Sequence, residues 1–277
     1  MKLLSLILAL ALSACAATPQ APAARRPSTV RVAACQILVE GDRAAGFAAI
    51  DAALQSAAQL GADIAVFPET CLYGWVNPAA HELADPIPGA ASDELAKLAR
   101  KHNMMIVVGL AEKHAGQLYD SAILIDSTGE ILLKHRKLNV LSEWMDPPYT
   151  RGPDALNSVV DTRHGRIGLL ICADTFHKEA VAQLATSKPD LVLVPYGWAA
   201  PEEHWPGHGQ SLHAWIANTA RKVNAPVVGV DAIGSVLAGP MQGQIYGGQS
   251  AASGRDGLLL GVLADRKPDV RVFEFER

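Results

Sequence analysis

From Thr29 onward, short runs rich in Val, Ile and Leu alternate with longer Ala-rich amphipathic stretches, and this alternation places the chain in the α/β class. The strand-like runs are TVRVAACQI, ADIAVF, MMIVVGL, SAILID, EILLKH, NSVVDT, RIGLLI, DLVLVPY, APVVGVD, LLLGVL and DVRVFEF. Helical spacing occurs in four places: around Phe47, Ile50, Leu54 and Ala57, and over residues 92–102, 176–187 and 212–223. In the second of these, Ser92 is placed to cap the first turn, Asp93 and Glu94 favour its positive end, and Arg100, Lys101 and His102 favour the other. Eleven strand runs against four helices is too sheet-rich for a doubly wound single sheet. It predicts two packed sheets with helices outside.

Composition narrows the function classes. With 49% hydrophobic and 19% charged residues the chain can bury a sizeable core, so it is not a disordered polymer. The net charge is −4 and the 24 Lys and Arg are scattered, so no basic patch invites nucleic acid. No repeat, low-complexity tract or linker-like shift interrupts residues 29–277, which read as one domain.

The opening MKLLSLILALALSAC has one Lys, an apolar run and then small residues. That is the build of a secretory signal, too short to remain as a membrane span. Leu12-Ser13-Ala14-Cys15 resembles the bacterial lipobox. The resemblance implies a signal peptide over 1–14, lipid on Cys15, a Pro/Ala-rich tether over 15–28 and a folded domain over 29–277. Ala16 stands where an Asp would resemble an inner-membrane retention signal, so the expected anchor is the outer membrane, facing the periplasm. The alternative is an ordinary cleaved signal with an incidental Cys15. Three cysteines then remain, Cys35, Cys71 and Cys172, and an odd number leaves at least one thiol unpaired. Cys35 lies inside a strand-like run and reads as a buried hydrophobe; Cys71 is left open between a disulfide to Cys35, a redox role and packing.

In open α/β sheets ligands bind beyond the carboxyl ends of strands, so reactive side chains immediately after strand runs carry the functional signal. ADIAVFP leads into Glu69, EILLKHR into Lys137, and RIGLLI into Cys172, with a helix expected from about Thr175. A thiol, an amine and a carboxylate are the parts needed for covalent acyl transfer. A nearby ammonium and a helix N-terminus are expected to lower the thiol pKa. Taken singly, each residue has a structural reading: a surface Glu, a solvated basic turn, a core Cys.

Together they are more specific. FPET (Glu69), HRKLN (Lys137) and GLLICADTF (Cys172), with VAACQ, YDSAILIDSTGE, DLVLVPYGW and YGGQSA around them, resemble the nitrilase superfamily of carbon-nitrogen hydrolases over nearly all of 29–275. The resemblance implies a nitrilase-like four-layer α-β-β-α sandwich, pairing into homodimers, and no metal or organic cofactor. It also implies a Glu-Lys-Cys triad on Glu69, Lys137 and Cys172, with a second glutamate best matched by Glu143. The implied reaction is hydrolysis of a small-molecule carbon-nitrogen bond, most readily an amide, through a Cys thioester. The backbone of Ala173 is expected at the oxyanion, and Tyr73 and Trp198 at the substrate. Nitrile-cleaving members commonly carry Trp-Glu directly after the nucleophile, whereas Ala173 and Asp174 stand here, which favours an amide. Phe176 stands where many amidase-like members have Arg. Loops over 73–81, 144–151 and 196–210 are expected to choose the substrate, with Trp75, Trp144, Trp198 and Trp205 as candidate walls.

The rivals are a metal hydrolase built on His204, His208 and His213 with Glu202 and Glu203, a serine hydrolase at Ser250, and a catalytically silent binding lipoprotein. Pro206, Gly207 and Gly209 argue against a helix presenting the histidines, and the string at Ser250 lacks the closing Gly of a nucleophile elbow. The silent binder is disfavoured because all three reactive positions are intact.

Overall fold

The computed structural model describes residues 29–153 and 158–276. The signal, the lipidation at Cys15 and the tether lie outside the described residues. In chain order the elements are β1 (Thr29–Gln36), α1 (Arg43–Gln59), β2 (Ile64–Val66), α2 (Ala80–Leu83), α3 (Ala90–His102), β3 (Met105–His114), β4 (Gln117–Ile125) and β5 (Ile131–Arg136). There follow β6 (Val159–Thr162), β7 (Gly165–Leu169), α4 (Lys178–Thr186), β8 (Leu191–Pro195), β9 (Ala199–Ala200), α5 (Gly207–Val223) and β10 (Val227–Val230). The chain closes with β11 (Ile233–Ser235), β12 (Ile245–Gly247), β13 (Ala251–Ser253), β14 (Leu259–Val262) and β15 (Asp269–Glu276). Short 3-10 turns occupy Ser142–Trp144, Cys172–Phe176 and Glu202–His204.

Two six-stranded sheets form, in the orders β15-β1-β2-β3-β4-β5 and β14-β13-β10-β8-β7-β6. Each has a parallel centre and antiparallel margins. The strands read as unbroken apolar runs because both faces are covered. In β1, Val30, Val32 and Ala34 join the core that includes β7, β8 and β10, while Ala33 and Cys35 face the α1 and α3 side. Ile64 and Val66 of β2 divide from Ala65 in the same way, as do Met105 and Val107 of β3 from Ile106 and Val108. α1 and α3 therefore cover the first sheet and α4 and α5 the second, the α-β-β-α sandwich that the strand count predicts.

All eleven predicted runs contain strands. The unpredicted ones, β9, β11, β12 and β13, have two or three residues each, too short for period-two alternation to register. β9, β11 and β12 make a small third sheet over one end of the sandwich. Three helix starts differ from expectation, and α4 begins at Lys178, later than its spacing suggests. α3 begins at Ala90 with Gly89 at its N-cap, and Ser92 reaches back from inside the first turn, its Oγ accepting from Gly89 N at 2.9 Å. α5 begins at Gly207, immediately after Pro206, because a proline at a helix start forfeits only an N–H that has no helical partner.

Candidate active site

Glu69 is fixed between the two sheets by its own backbone. β2 ends at Val66, and the Glu69 N–H then donates to Tyr196 O, just past β8 of the other sheet, at 3.1 Å. On the other side, Gly109 N of β3 donates to Pro68 O at 3.1 Å and Cys71 N donates to Gly109 O at 3.1 Å. The approach is so close that a Cβ at Gly109 would stand 2.5 Å from Glu69 Cα and 2.6 Å from Pro68 O. Lys137 follows β5 directly, and its N–H donates to Asp120 O of β4 at 2.8 Å. Cys172 leaves β7 through Leu170 and Ile171 and takes φ +40°, the left-handed region that side chains rarely occupy.

The three side chains converge inside the protein: Glu69 is 1% exposed, Lys137 0% and Cys172 3%. Lys137 Nζ donates to Glu69 Oε1 and lies 3.2 Å from Asp120 Oδ2. The Cys172 thiol sits beside both charges and within reach of the Gly197 N–H. Gly197 is needed here, since a Cβ would fall 2.8 Å from Glu69 Oε2 and 3.1 Å from Trp75 Cβ.

Burial works against the Lys137 charge, but the carboxylates of Glu69 and Asp120 outweigh it and hold the ammonium well above the ordinary lysine pKa. The thiol behaves otherwise. Burial first, then the Glu69 carboxylate, push Cys172 well above a free thiol, and Lys137 pulls it down without prevailing. The resting sulfur is therefore protonated, contrary to the lowered pKa expected from sequence. The helix expected at Thr175 starts only at Lys178, so a 3-10 turn separates the sulfur from its N-terminus. Glu69 Oε2 is buried with no hydrogen-bond partner among the described residues.

Asp174 locks the nucleophile turn to the lysine segment. Its carboxylate accepts from His135 Nε2 (2.8 Å), Leu138 N (2.8 Å), Asn139 N (2.9 Å) and Ile171 N (3.1 Å). Burial raises its pKa, but the His135 contact and these amides win and hold it below the usual carboxylate value. Asn139 Nδ2 adds a bond to Ala173 O at 3.0 Å.

A cleft of about 200 Å³ opens over Cys172, walled by Trp75, Trp144, Phe176, Trp198, His208 and Met241. The Trp198 ring stacks on His208 at 5.1 Å and meets Phe176 edge-on at 5.6 Å. Burial, with His204 nearby, lowers the His208 pKa. A larger depression of about 490 Å³ lies between α1 and β15; its walls carry Ser56, whose hydroxyl donates to Ala52 O at 3.1 Å, and Asp269, but no cysteine or lysine. The smaller cleft is the site because it contains the sulfur.

The sequence model of the carbon-nitrogen hydrolase family matches residues 31–275. The chain belongs to the carbon-nitrogen hydrolase family. Among similar proteins, an (R)-stereoselective amidase from a Pseudomonas species is 33% identical over 153 residues, covering 55% of this chain and 54% of that protein. The omega-amidase NIT2 of Bos taurus is 27% identical over 189 residues, 64% of this chain and 68% of that one. The chain thus spans about half to two thirds of these relatives. In fold it is similar to an amidase from Nesterenkonia sp. (TM-score 0.77, 24% identity, 89% of this chain and 90% of that one). It is equally similar to a carbon-nitrogen hydrolase from Helicobacter pylori G27 (TM-score 0.78, 21% identity, 89% of each).

Within this carbon-nitrogen hydrolase, two sequence expectations are corrected. Glu143 stands exposed on the turn between Leu141 and Trp144, which themselves line the cleft, and the second buried carboxylate beside Lys137 is Asp120. Tyr73 is buried away from the cleft lining, its hydroxyl donating to Leu83 O at 2.9 Å and accepting from Arg43 at 3.4 Å. Trp198 lies on the wall as expected, and Ala173 is buried directly after the nucleophile. Trp205 stands behind His208, bonded to Ile245 O at 3.1 Å. Among the described residues no cluster of three metal-ligating side chains forms; His213 meets Gln249 O at 2.9 Å, and Ser250 Oγ is engaged with Gln36 at 2.9 Å. Cys35, Cys71 and Cys172 are all free thiols, so no disulfide joins Cys71 to Cys35. Burial pushes Cys71 up to about 12.

Asp174 generates a stability prediction. Asp174→Ala strands the His135 nitrogen and three amides in the interior and should cost about 3 kcal/mol in chemical denaturation. Because the folded pKa is depressed, the Asp174 contribution is present above the ordinary carboxylate pKa and lost as pH falls through the folded value. The stability gap between wild type and Asp174→Ala should therefore narrow in acid; a gap that stays constant would contradict the lock.

Proposed function

We propose that this protein is a thiol hydrolase that cleaves a small-molecule amide, releasing ammonia or an amine and a carboxylic acid. The observation that carries it is the burial of Cys172, Glu69 and Lys137 together beneath one cleft. Amidases among its relatives support it, and in a point mutant of the amidase from Nesterenkonia sp. AN1 the acetamide moiety of fluoroacetamide adds covalently at the active-site cysteine.

The neutral resting thiol decides the order of events. Glu69 takes the proton from Cys172 as the sulfur attacks the amide carbonyl carbon, giving a tetrahedral oxyanion. Lys137 Nζ and the Ala173 N–H stabilise that oxygen; one such donor is worth about 3 to 4 kcal/mol of barrier. Glu69 returns the proton to the nitrogen as the C–N bond breaks, and a thioester remains on Cys172. Glu69 then takes a proton from water, whose oxygen attacks the thioester and releases the acid and the thiol. Aromatic and aliphatic walls around a cleft of about 200 Å³ suit a small amide with an apolar acyl group.

The lipobox-like Leu12-Ser13-Ala14-Cys15 supports export and a lipid anchor at Cys15, with the domain facing the periplasm from the outer membrane. Exposed Leu259 and Leu260 in the edge strand β14, with Leu258 just before it, support pairing into a homodimer. The full chain should fractionate with membranes and Cys15→Ser should release it; a soluble wild type contradicts the anchor.

Cys172→Ala should reduce ammonia release from a panel of short amides to background, a loss of about 10⁵-fold or more, with unchanged circular dichroism. Unaltered release by that variant would remove the nucleophile from the scheme.

A further inference from the structure

Asp120 has no part in the scheme above, and its surroundings are unusual. It is fully buried on β4, next to Lys137 across the β4–β5 ladder, and it brings a second carboxyl group to a single ammonium. Its Oδ2 lies 3.2 Å from Lys137 Nζ, yet poorly aligned for an N–H bond, and neither of its oxygens has a hydrogen-bond donor among the described residues. Its carboxyl group is also within hydrogen-bond reach of Glu69.

Two ionised carboxylates cannot hydrogen-bond to each other. With both charged, the pair would leave three buried oxygens unpartnered, Asp120 Oδ1 and Oδ2 and Glu69 Oε2, together with one uncompensated negative charge. A single proton between them cancels the uncompensated charge and joins two of the three oxygens in one hydrogen bond.

Among the described residues, the other titratable groups that act on this cluster supply no compensating cation. Tyr149 is a buried phenol whose hydroxyl has no partner among those residues, Tyr246 is bonded to the Trp75 backbone, and the Cys172 thiol is neutral. Asp231, on the second sheet, accepts from Trp198 N at 2.7 Å; burial and the Glu69 charge push its pKa well up, and it brings no positive charge. Glu69 already has the well-aligned bond from Lys137, so the proton belongs on Asp120. Burial and the adjacent Glu69 raise the Asp120 pKa, against Lys137, in the same direction.

We propose that Asp120 is a positioning residue held as the neutral acid, which donates a hydrogen bond to the Glu69 carboxylate and leaves Lys137 with one negative partner. The proposal rests on the reading of Glu69 as the base. By this account Glu69 is oriented by an ammonium on one oxygen and a carboxylic acid beside it, and it enters the cycle ionised.

The test separates a neutral donor from a second counter-ion. Asp120→Asn keeps the shape and an N–H donor, and should retain kcat/KM on a short amide within about threefold, with the acid limb of the pH profile unmoved. Asp120→Leu removes the donor and should lower kcat about 10²-fold. A hundredfold loss in Asp120→Asn, or an acid limb moved by a full pH unit, would overturn the proposal. Infrared spectra with ¹³C-labelled aspartate read the protonation directly and need no turnover. At neutral pH a protonated-carboxyl band should be present in the wild type, persist in Asp231→Asn and vanish in Asp120→Asn. If Asp120→Asn fails to fold, the band in Asp231→Asn decides alone, and its absence overturns the proposal. A wild type that shows the band but hydrolyses no amide would sink the functional reading and leave the protonation state standing.

Discussion

An ammonium taken wholly out of water is the constraint around which the rest of this structure is arranged. Moving such a charge into a protein interior costs several kcal/mol unless partners meet it there. Lys137 is met by Glu69 and Asp120, and neither is its neighbour in sequence. Glu69 arrives from the end of β2 and Asp120 from β4, while the thiol arrives from β7 in the other sheet. The cluster exists only if both sheets form and pack in register. The bond from Glu69 N to Tyr196 O and the three bonds to Asp174 from His135, Leu138 and Asn139 join the two halves at that place.

The same burial sets the chemistry. A thiol beside a carboxylate in a nearly closed interior stays protonated, so it differs from an exposed thiolate that would react with any electrophile. In the proposed scheme deprotonation is coupled to attack, with Glu69 as the base. Cys35 and Cys71 are held protonated by burial too, but neither lines the cleft.

Much of this was legible in the sequence because it rests on short local patterns. Glu69, Lys137 and Cys172 each follow a strand run directly, and runs buried on both faces are conspicuously apolar. What was not legible depends on pairing. Asp120 sits within an ordinary strand segment, and only the β4–β5 ladder shows that it lies next to Lys137. Glu143 follows from the family resemblance and Tyr73 from the loop expected to select substrate, but a turn exposes the first and the second is bonded to Leu83 O, away from the cleft lining. Asp174 showed only as a motif letter; its four donors come from segments more than thirty residues away as well as from its own turn.

The proposed route passes through a covalent bond between substrate carbon and the Cys172 sulfur. Rapid acid quench of the enzyme during turnover of a short amide, followed by peptide mass spectrometry, tests it most directly. The Cys172 peptide should carry the added mass of the acyl group, the amide less ammonia. Steady turnover with that peptide unmodified at every quench time, or with the acyl group on another residue, would contradict the account.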